Sequence, residues 1–172
     1  MASFIARIFN NITFGVLILL PLLISCKRQN IDKNCCSSPP VVFSSETAHL
    51  GIPNIFTPDG DGANDLLFPL DSGIANFEFH VKDKFGKTMY LTTSSSFLWD
   101  GTHEGKTLNG VYDYELNAKT QDGTSIEHIG KLCIISNYEG NCIQNSSSCV
   151  FDLEWTGSSF NTLTNDLYKP CP

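Results

Sequence analysis

The 172 residues are enough for one globular domain with attachments, since a domain of roughly 100 residues buries a core large enough to fold alone. Eleven Lys and Arg against eighteen Asp and Glu give a formal charge of -7. The cations are scattered, with no basic block, which excludes a nucleic-acid partner, because phosphate binding needs a concentrated basic surface.

Residues 1–25 read as an export signal: Arg7 supplies the positive end, an apolar run extends from Ile12 to Ile24, and a small residue, Ser25, precedes Cys26. The run is shorter than the roughly 20 residues needed to cross a bilayer and contains Pro21, which argues against a membrane span. Its end, Leu23-Ile24-Ser25-Cys26, resembles the lipobox of bacterial lipoproteins. That resemblance implies cleavage before Cys26 and acylation of the new N-terminal cysteine, so that Cys26 is the lipid anchor holding the chain to the membrane.

Setting Cys26 aside leaves six cysteines: Cys35, Cys36, Cys133, Cys142, Cys149 and Cys171. An even number in an exported chain points to disulfides, and the absence of a C-x-x-C or C-x-x-H spacing argues against zinc. Cys35 and Cys36 are adjacent, so each is expected to reach a distant partner. Fifteen connectivities are open; the arrangement favoured here staples the cysteine pair to the cysteine-bearing tail.

Residues 26–40 form a polar tether ending in the cysteine pair and a Pro-Pro stop. Extended structure begins at Val41, and from there to Ile135 short strand-like runs alternate with Gly, Asp and Asn, without a helical period. Phe77, Phe79 and Val81 alternate with Glu78, His80 and Lys82, and Phe85-Gly86-Lys87 turns that run into Met89 to Leu91, a hairpin. Tyr112, Tyr114, Leu116 and Ala118 alternate with polar residues, and Gln121-Asp122-Gly123 turns them into a second hairpin. Strands with one apolar face each need a facing sheet, so residues 41–135 are expected to form an all-β antiparallel sandwich. Residues 136–172, rich in Ser, Asn and Cys with isolated aromatics, are expected to be a tail held by disulfides. Asn145-Ser146-Ser147 has the form of a glycosylation acceptor, a meaning that depends on a host machinery at odds with the lipobox.

Three phrases in order, Gly51 to Phe68, Phe77 to Tyr90 and Leu98 to Leu116, together resemble the gliding motility-associated C-terminal domain of Bacteroidetes, the type B sorting domain of the type IX secretion system. The resemblance covers about residues 50 to 135 and implies an immunoglobulin-like β-sandwich without catalysis. The chain departs from a sorting tag in that 37 residues follow Ile135 and the lipobox lies only about 25 residues ahead of the domain.

The stretch Phe56 to Phe68 carries the densest chemistry. Aligned as an EF-hand on Asp59 it fails, because Ala63, Asn64 and Leu70 occupy the fifth, sixth and twelfth positions, where an oxygen ligand, glycine and glutamate are needed. A looser calcium set of Asp59, Asp61, Asn64 and Asp65 stays open beside the favoured reading of a metal-free turn, in which Asp and Asn bond their own backbone and Gly60 and Gly62 supply positive φ. No cofactor is otherwise expected. Trp99 beside Asp100-Gly101 reads as a core residue at a turn, and His80 and His128 as exposed strand histidines. Asp113 and Glu115 share a strand face where solvation explains them, and no G-x-S-x-G elbow occurs, so no enzyme is expected.

The function expected from these readings is a non-enzymatic lipid-anchored envelope module on the outer membrane, facing the periplasm or the cell surface, that contacts an envelope protein or a surface glycan. The alternative is a sorting domain recognised by the type IX secretion machinery.

Overall fold

The computed structural model describes residues 34–136, 148–150 and 156. The signal segment, Cys26, Cys142 and Cys171 lie outside the described residues. Ten strands follow in chain order: β1 (Val41–Ser44), β2 (His49–Ile52), β3 (Ile55–Phe56), β4 (Leu70–Ser72), β5 (Ile74–Lys82), β6 (Thr88–Thr92), β7 (Thr102–His103), β8 (Lys106–Thr107), β9 (Gly110–Thr120) and β10 (Ser125–Ile134). They form a three-stranded sheet ordered β1-β2-β4, a five-stranded sheet ordered β3-β10-β9-β5-β6 and a small β7-β8 ribbon.

Val41, Leu50 and Ile52 of the smaller sheet share one apolar cluster with Phe77, Phe79, Val81, Tyr114, Leu116 and Leu132 of the larger. That shared core is what makes the pair an immunoglobulin-like sandwich, because each sheet buries the face the other cannot leave in water. Both hairpins read from period-2 alternation are present: β5 pairs with β6, and β9 pairs with β10 over ten residue pairs from Ser125↔Lys119 to Ile134↔Gly110. The β5–β6 turn is closed by Asp83, whose Oδ1 accepts the N–H of Phe85 (2.8 Å) and of Lys87 (2.9 Å). On the outer face of the larger sheet Lys82 pairs with Glu115 (2.7 Å) and Lys131 with Asp113 (2.6 Å). These exposed cross-strand pairs contribute about 1 kcal/mol or less each, so the two acids serve a solvated surface.

The pairing departs from a purely antiparallel sandwich at β3, which runs parallel to β10, with Ile55 opposite Cys133 and Phe56 opposite Ile134. Pro53 has no N–H to continue the β2 ladder, and the chain there leaves the smaller sheet and joins the larger one in the direction of β10.

The reverse crossing, from β4 to β5, is made by Gly73 at φ +71. A Cβ there would lie 2.3 Å from the Thr47 carbonyl oxygen and 2.9 Å from the Ala48 Cβ. Gly73→Ala is therefore expected to destabilise the sandwich by about 2–4 kcal/mol, the sum of a left-handed penalty and a backbone clash, read as a lower urea midpoint at unchanged slope.

A line of rings runs through the core: Phe56 against Trp99, Trp99 stacked on Tyr90 (centroids 4.5 Å, 11°), Tyr90 against Phe97, Phe97 stacked on Phe79 (5.6 Å, 13°), and Phe79 against Tyr114. The packing links the β3 end of the larger sheet to its β6 edge across the interior.

Candidate functional site

The loop after β3 opens with Thr57, whose N–H donates to the Asn64 carbonyl (2.8 Å) and whose hydroxyl donates to the Ala63 carbonyl (3.3 Å), so its two ends meet. Within it, Asp65 accepts the N–H groups of Gly60 (2.7 Å) and Gly62 (2.8 Å) on its two carboxylate oxygens. Asp59 Oδ1 accepts the Asp61 N–H (3.2 Å), and Asp61 Oδ1 accepts the Ala63 N–H (2.8 Å). Gly60 and Gly62 sit at φ +84 and +90, and Asn64 at φ +55, a conformation that asparagine tolerates better than most residues. The loop satisfies its own backbone with its own side chains.

The same folding brings one ligand atom from each of Asp59, Asp61 and Asp65 within 4.8 Å of one another. Desolvation, with the Asp61 and Asp65 charges adding to it, raises the Asp59 carboxyl above its ordinary value, against the lowering effect of the Asp61 N–H bond. The Asn64 side-chain oxygen is buried without a hydrogen-bond partner among the described residues. Three carboxylates and an amide oxygen are a hard-cation donor set, and carboxylate oxygens retain lone pairs beyond those given to N–H groups. The turn's internal bonds are the basis for expecting a fold that does not depend on an ion. Melting curves in 1 mM calcium and in excess chelator are expected to coincide within about 2 °C; a shift of several degrees that disappears in Asp61→Ala would assign a bound calcium, since a native-state ligand stabilises by mass action.

Trp99 is 4% exposed, and its Nε1 donates to the Thr102 carbonyl (3.0 Å). Asp100 Oδ1 accepts the Thr102 hydroxyl (2.7 Å) and N–H (2.9 Å), which holds its carboxyl below the usual carboxylate range. Gly101 closes the turn with its α-carbon against the Phe56 ring: a Cβ there would lie 3.1 Å from that ring and 3.0 Å from Pro58. The Trp-Asp-Gly turn therefore packs under the Asp-Gly loop, and Leu67 and Trp99 exchange backbone bonds of 2.8 and 2.9 Å to join them. The two most distinctive phrases of the sequence are one structural unit.

Residues 50–134 match the CHU_C type IX secretion signal domain. The match runs from Leu50 in β2 to Ile134 at the end of β10 and includes the loop, the Trp-Asp-Gly turn and both hairpins. No curated protein matches the chain. The crystal structure of CopC from Methylosinus trichosporium OB3b is similar over 56% of this chain and 93% of that one, at 10% identity and a TM-score of 0.37, too distant to carry an argument.

His80 and His128 lie on different strands, β5 and β10. His80 Nε2 lies 2.7 Å from the Thr88 hydroxyl on the outer face. His128 corrects the sequence reading: it is half-buried at the core margin, stacked on Tyr114 at 5.7 Å and 10°, with Nδ1 3.0 Å from the Tyr114 hydroxyl. Burial raises the Tyr114 phenol and lowers the His128 imidazole, so both are neutral at pH 7 and the direction of their hydrogen bond follows the imidazole tautomer.

Beyond the CHU_C boundaries the chain is bonded back to the domain. Cys35 is joined to Cys133 and Cys36 to Cys149, with Cys36 at φ +57 sending the two neighbouring side chains to different partners. Cys35, Cys36, Cys133 and Cys149 pack with Ile55 and Ile135 in a second apolar cluster. At its centre Asn54, 0% exposed, donates from Nδ2 to the Ser38 and Ser148 carbonyls (2.8 Å each) and accepts the Val150 N–H on Oδ1 (2.8 Å). Its backbone N–H donates to the Val150 carbonyl (3.3 Å) and its carbonyl accepts the Cys133 N–H (2.9 Å). Asn54 thus ties together the segment before the domain, the segment after it and β10. Its only sequence signal is a polar residue after Pro53 at the edge of an apolar run, which marks a turn as readily as a buried clamp.

Proposed function

We propose that the chain is a non-enzymatic, lipid-anchored module of the cell envelope that serves type IX secretion or gliding through contact with an envelope protein or surface glycan. The CHU_C domain is a secretion signal domain rather than a catalytic family, and it ties the chain to type IX secretion and to a cell-envelope or secreted location. The observation that carries the module reading is covalent: the flank holding Cys36 is bonded to the flank holding Cys149, so the CHU_C domain is enclosed by its own chain. A recognition tag meant to be cut away gains nothing from such a bond, because the two flanks stay joined after cleavage between them. The lipobox at Cys26, ahead of the pair, supports acylation as the means of attachment.

A second reading, that the domain is read and removed by the secretion machinery, is favoured by the family match itself. Metabolic labelling with a fatty acid, followed by a blot for a tag placed after Pro172, separates the two. The expected result is a labelled band carrying the tag, with the label lost in Cys26→Ala. An unlabelled chain, or a tagged fragment shed into the medium, would promote the sorting reading.

A further inference from the structure

The two disulfides stand in different surroundings although their cysteines are neighbours. Cys133 lies inside β10, paired with Val111 of β9 on one side and Ile55 of β3 on the other. Opening Cys35–Cys133 at that sulfur disturbs the end of a strand that is hydrogen-bonded to a neighbour on each side. Cys149 lies on the short segment Ser148–Val150, which belongs to no strand. Among the described residues, the hydrogen bonds holding that segment all converge on Asn54: Nδ2 to Ser148, Oδ1 from Val150 and the backbone N–H to Val150. Cys36, its covalent partner, is held at φ +57, a left-handed conformation unfavourable for a residue with a Cβ.

From this asymmetry we infer that Cys36–Cys149 is a redox latch: its reduction releases the segment Ser148–Val150 while Cys35–Cys133 keeps the sandwich closed. The route is local. Both latch sulfurs are buried, Cys36 at 4% and Cys149 at 2% exposure, so a reductant reaches them when the three-residue segment lifts from Asn54, an opening that leaves the sheets intact. A dithiol of the thioredoxin class supplies the electrons: its thiolate attacks one latch sulfur to give a mixed disulfide and one free cysteine thiolate. Its second thiol then resolves the mixed disulfide, leaving two cysteine thiols and an oxidised reductant. Reduction lets Cys36 leave the left-handed region, and it uncovers the Asn54 amide. Neither latch cysteine lies in a strand: Cys36 precedes β1 and Cys149 follows β10.

The test is timed reduction of the oxidised protein with dithiothreitol, quenching with an alkylating agent and peptide mapping by mass. Cys36 and Cys149 are expected to be labelled at least about tenfold faster than Cys35 and Cys133. Hydrogen exchange at the Val150 amide then reads release directly: in Cys36→Ala/Cys149→Ala its protection is expected to fall to near that of an open segment, well beyond the fall at the Tyr114 and Leu132 amides, which follows only the loss of global stability. Equal or reversed labelling rates overturn the latch. So does a Val150 amide whose protection in the double variant stays equal to that of Tyr114 and Leu132, which would show that the segment opens only when the sandwich unfolds.

Discussion

Asn54→Leu is expected to lower the stability of the sandwich by about 2–4 kcal/mol, because a side chain of similar size removes three hydrogen bonds at once, one to a buried partner and two to part-buried ones. The Ser38 and Ser148 carbonyls each lose the Nδ2 donor, and the Val150 N–H loses its Oδ1 acceptor. A buried group left without a partner costs about 1–3 kcal/mol, and leucine satisfies none of the three. Urea unfolding should show the midpoint falling with the slope unchanged. Asn54→Asp sharpens the test: it keeps an acceptor for Val150 but offers no donor to Ser38 or Ser148, and it places a charge in a fully buried position. It should be at least as damaging, since burying an unpaired carboxylate adds its desolvation to the lost donors. A midpoint in either variant indistinguishable from that of the parent would remove Asn54 from the junction's energetics.

The disulfides should not act additively. Cys35–Cys133 spans 98 residues and Cys36–Cys149 spans 113. Taken alone, each closes a loop of about 100 residues, which is worth about 4.7 kcal/mol through the entropy it removes from the unfolded chain. With one bond in place, the other closes only the short circuit from Cys133 to Cys149 and back through the neighbouring cysteines, a loop of about 17 residues worth about 3 kcal/mol. Removing either pair as a double alanine variant should therefore cost about 3 kcal/mol, and removing both pairs about 8 kcal/mol, more than the two single losses combined. The measurement is again the unfolding free energy, taken for the parent and the three variants. A loss from all four cysteines equal to or smaller than the summed single losses would contradict the shared-loop account.

How far the fold was legible follows from where alternation is clean. The β5–β6 hairpin could be read because Phe77, Phe79 and Val81 keep strict period 2 up to Asp83, and the aspartate and glycine of the turn act within a few residues of sequence. In β10 the alternation is ambiguous: Ile126, His128, Gly130 and Leu132 share the inner side while Ile129, 81% exposed, faces out. The apolar residue stands on the wet side and a histidine and a glycine stand on the core side, so His128 was misread. The missing volume at Gly130 is filled from the neighbouring strand by Tyr114, whose ring lies where a Cβ would be, 2.7 Å from its hydroxyl. Such compensation across strands leaves no trace in either strand alone. The parallel pairing of β3, the clamp at Asn54 and the choice among fifteen disulfide connectivities were hidden for the same reason, since each is decided by segments roughly 80 to 110 residues apart. The Asp-Gly loop was legible as chemistry because its donors and acceptors all lie within nine residues, from Thr57 to Asp65.

The bond between Cys36 and Cys149 also sets the mechanical path through the molecule. A pull applied between a point before Cys36 and a point after Cys149 runs along the backbone to Cys36, across the sulfur bridge and out from Cys149. It never enters the strands between them. The sandwich hangs from that line as a pendant, so tension that would strip an ordinary domain strand by strand leaves this one unloaded and puts the whole force on covalent bonds. With that bridge open, the path shifts to Cys35–Cys133 and the chain beyond β10, and the strands from Val41 to Leu132 are still bypassed. Whatever is joined to the two flanks can be dragged apart without reshaping the domain's surface.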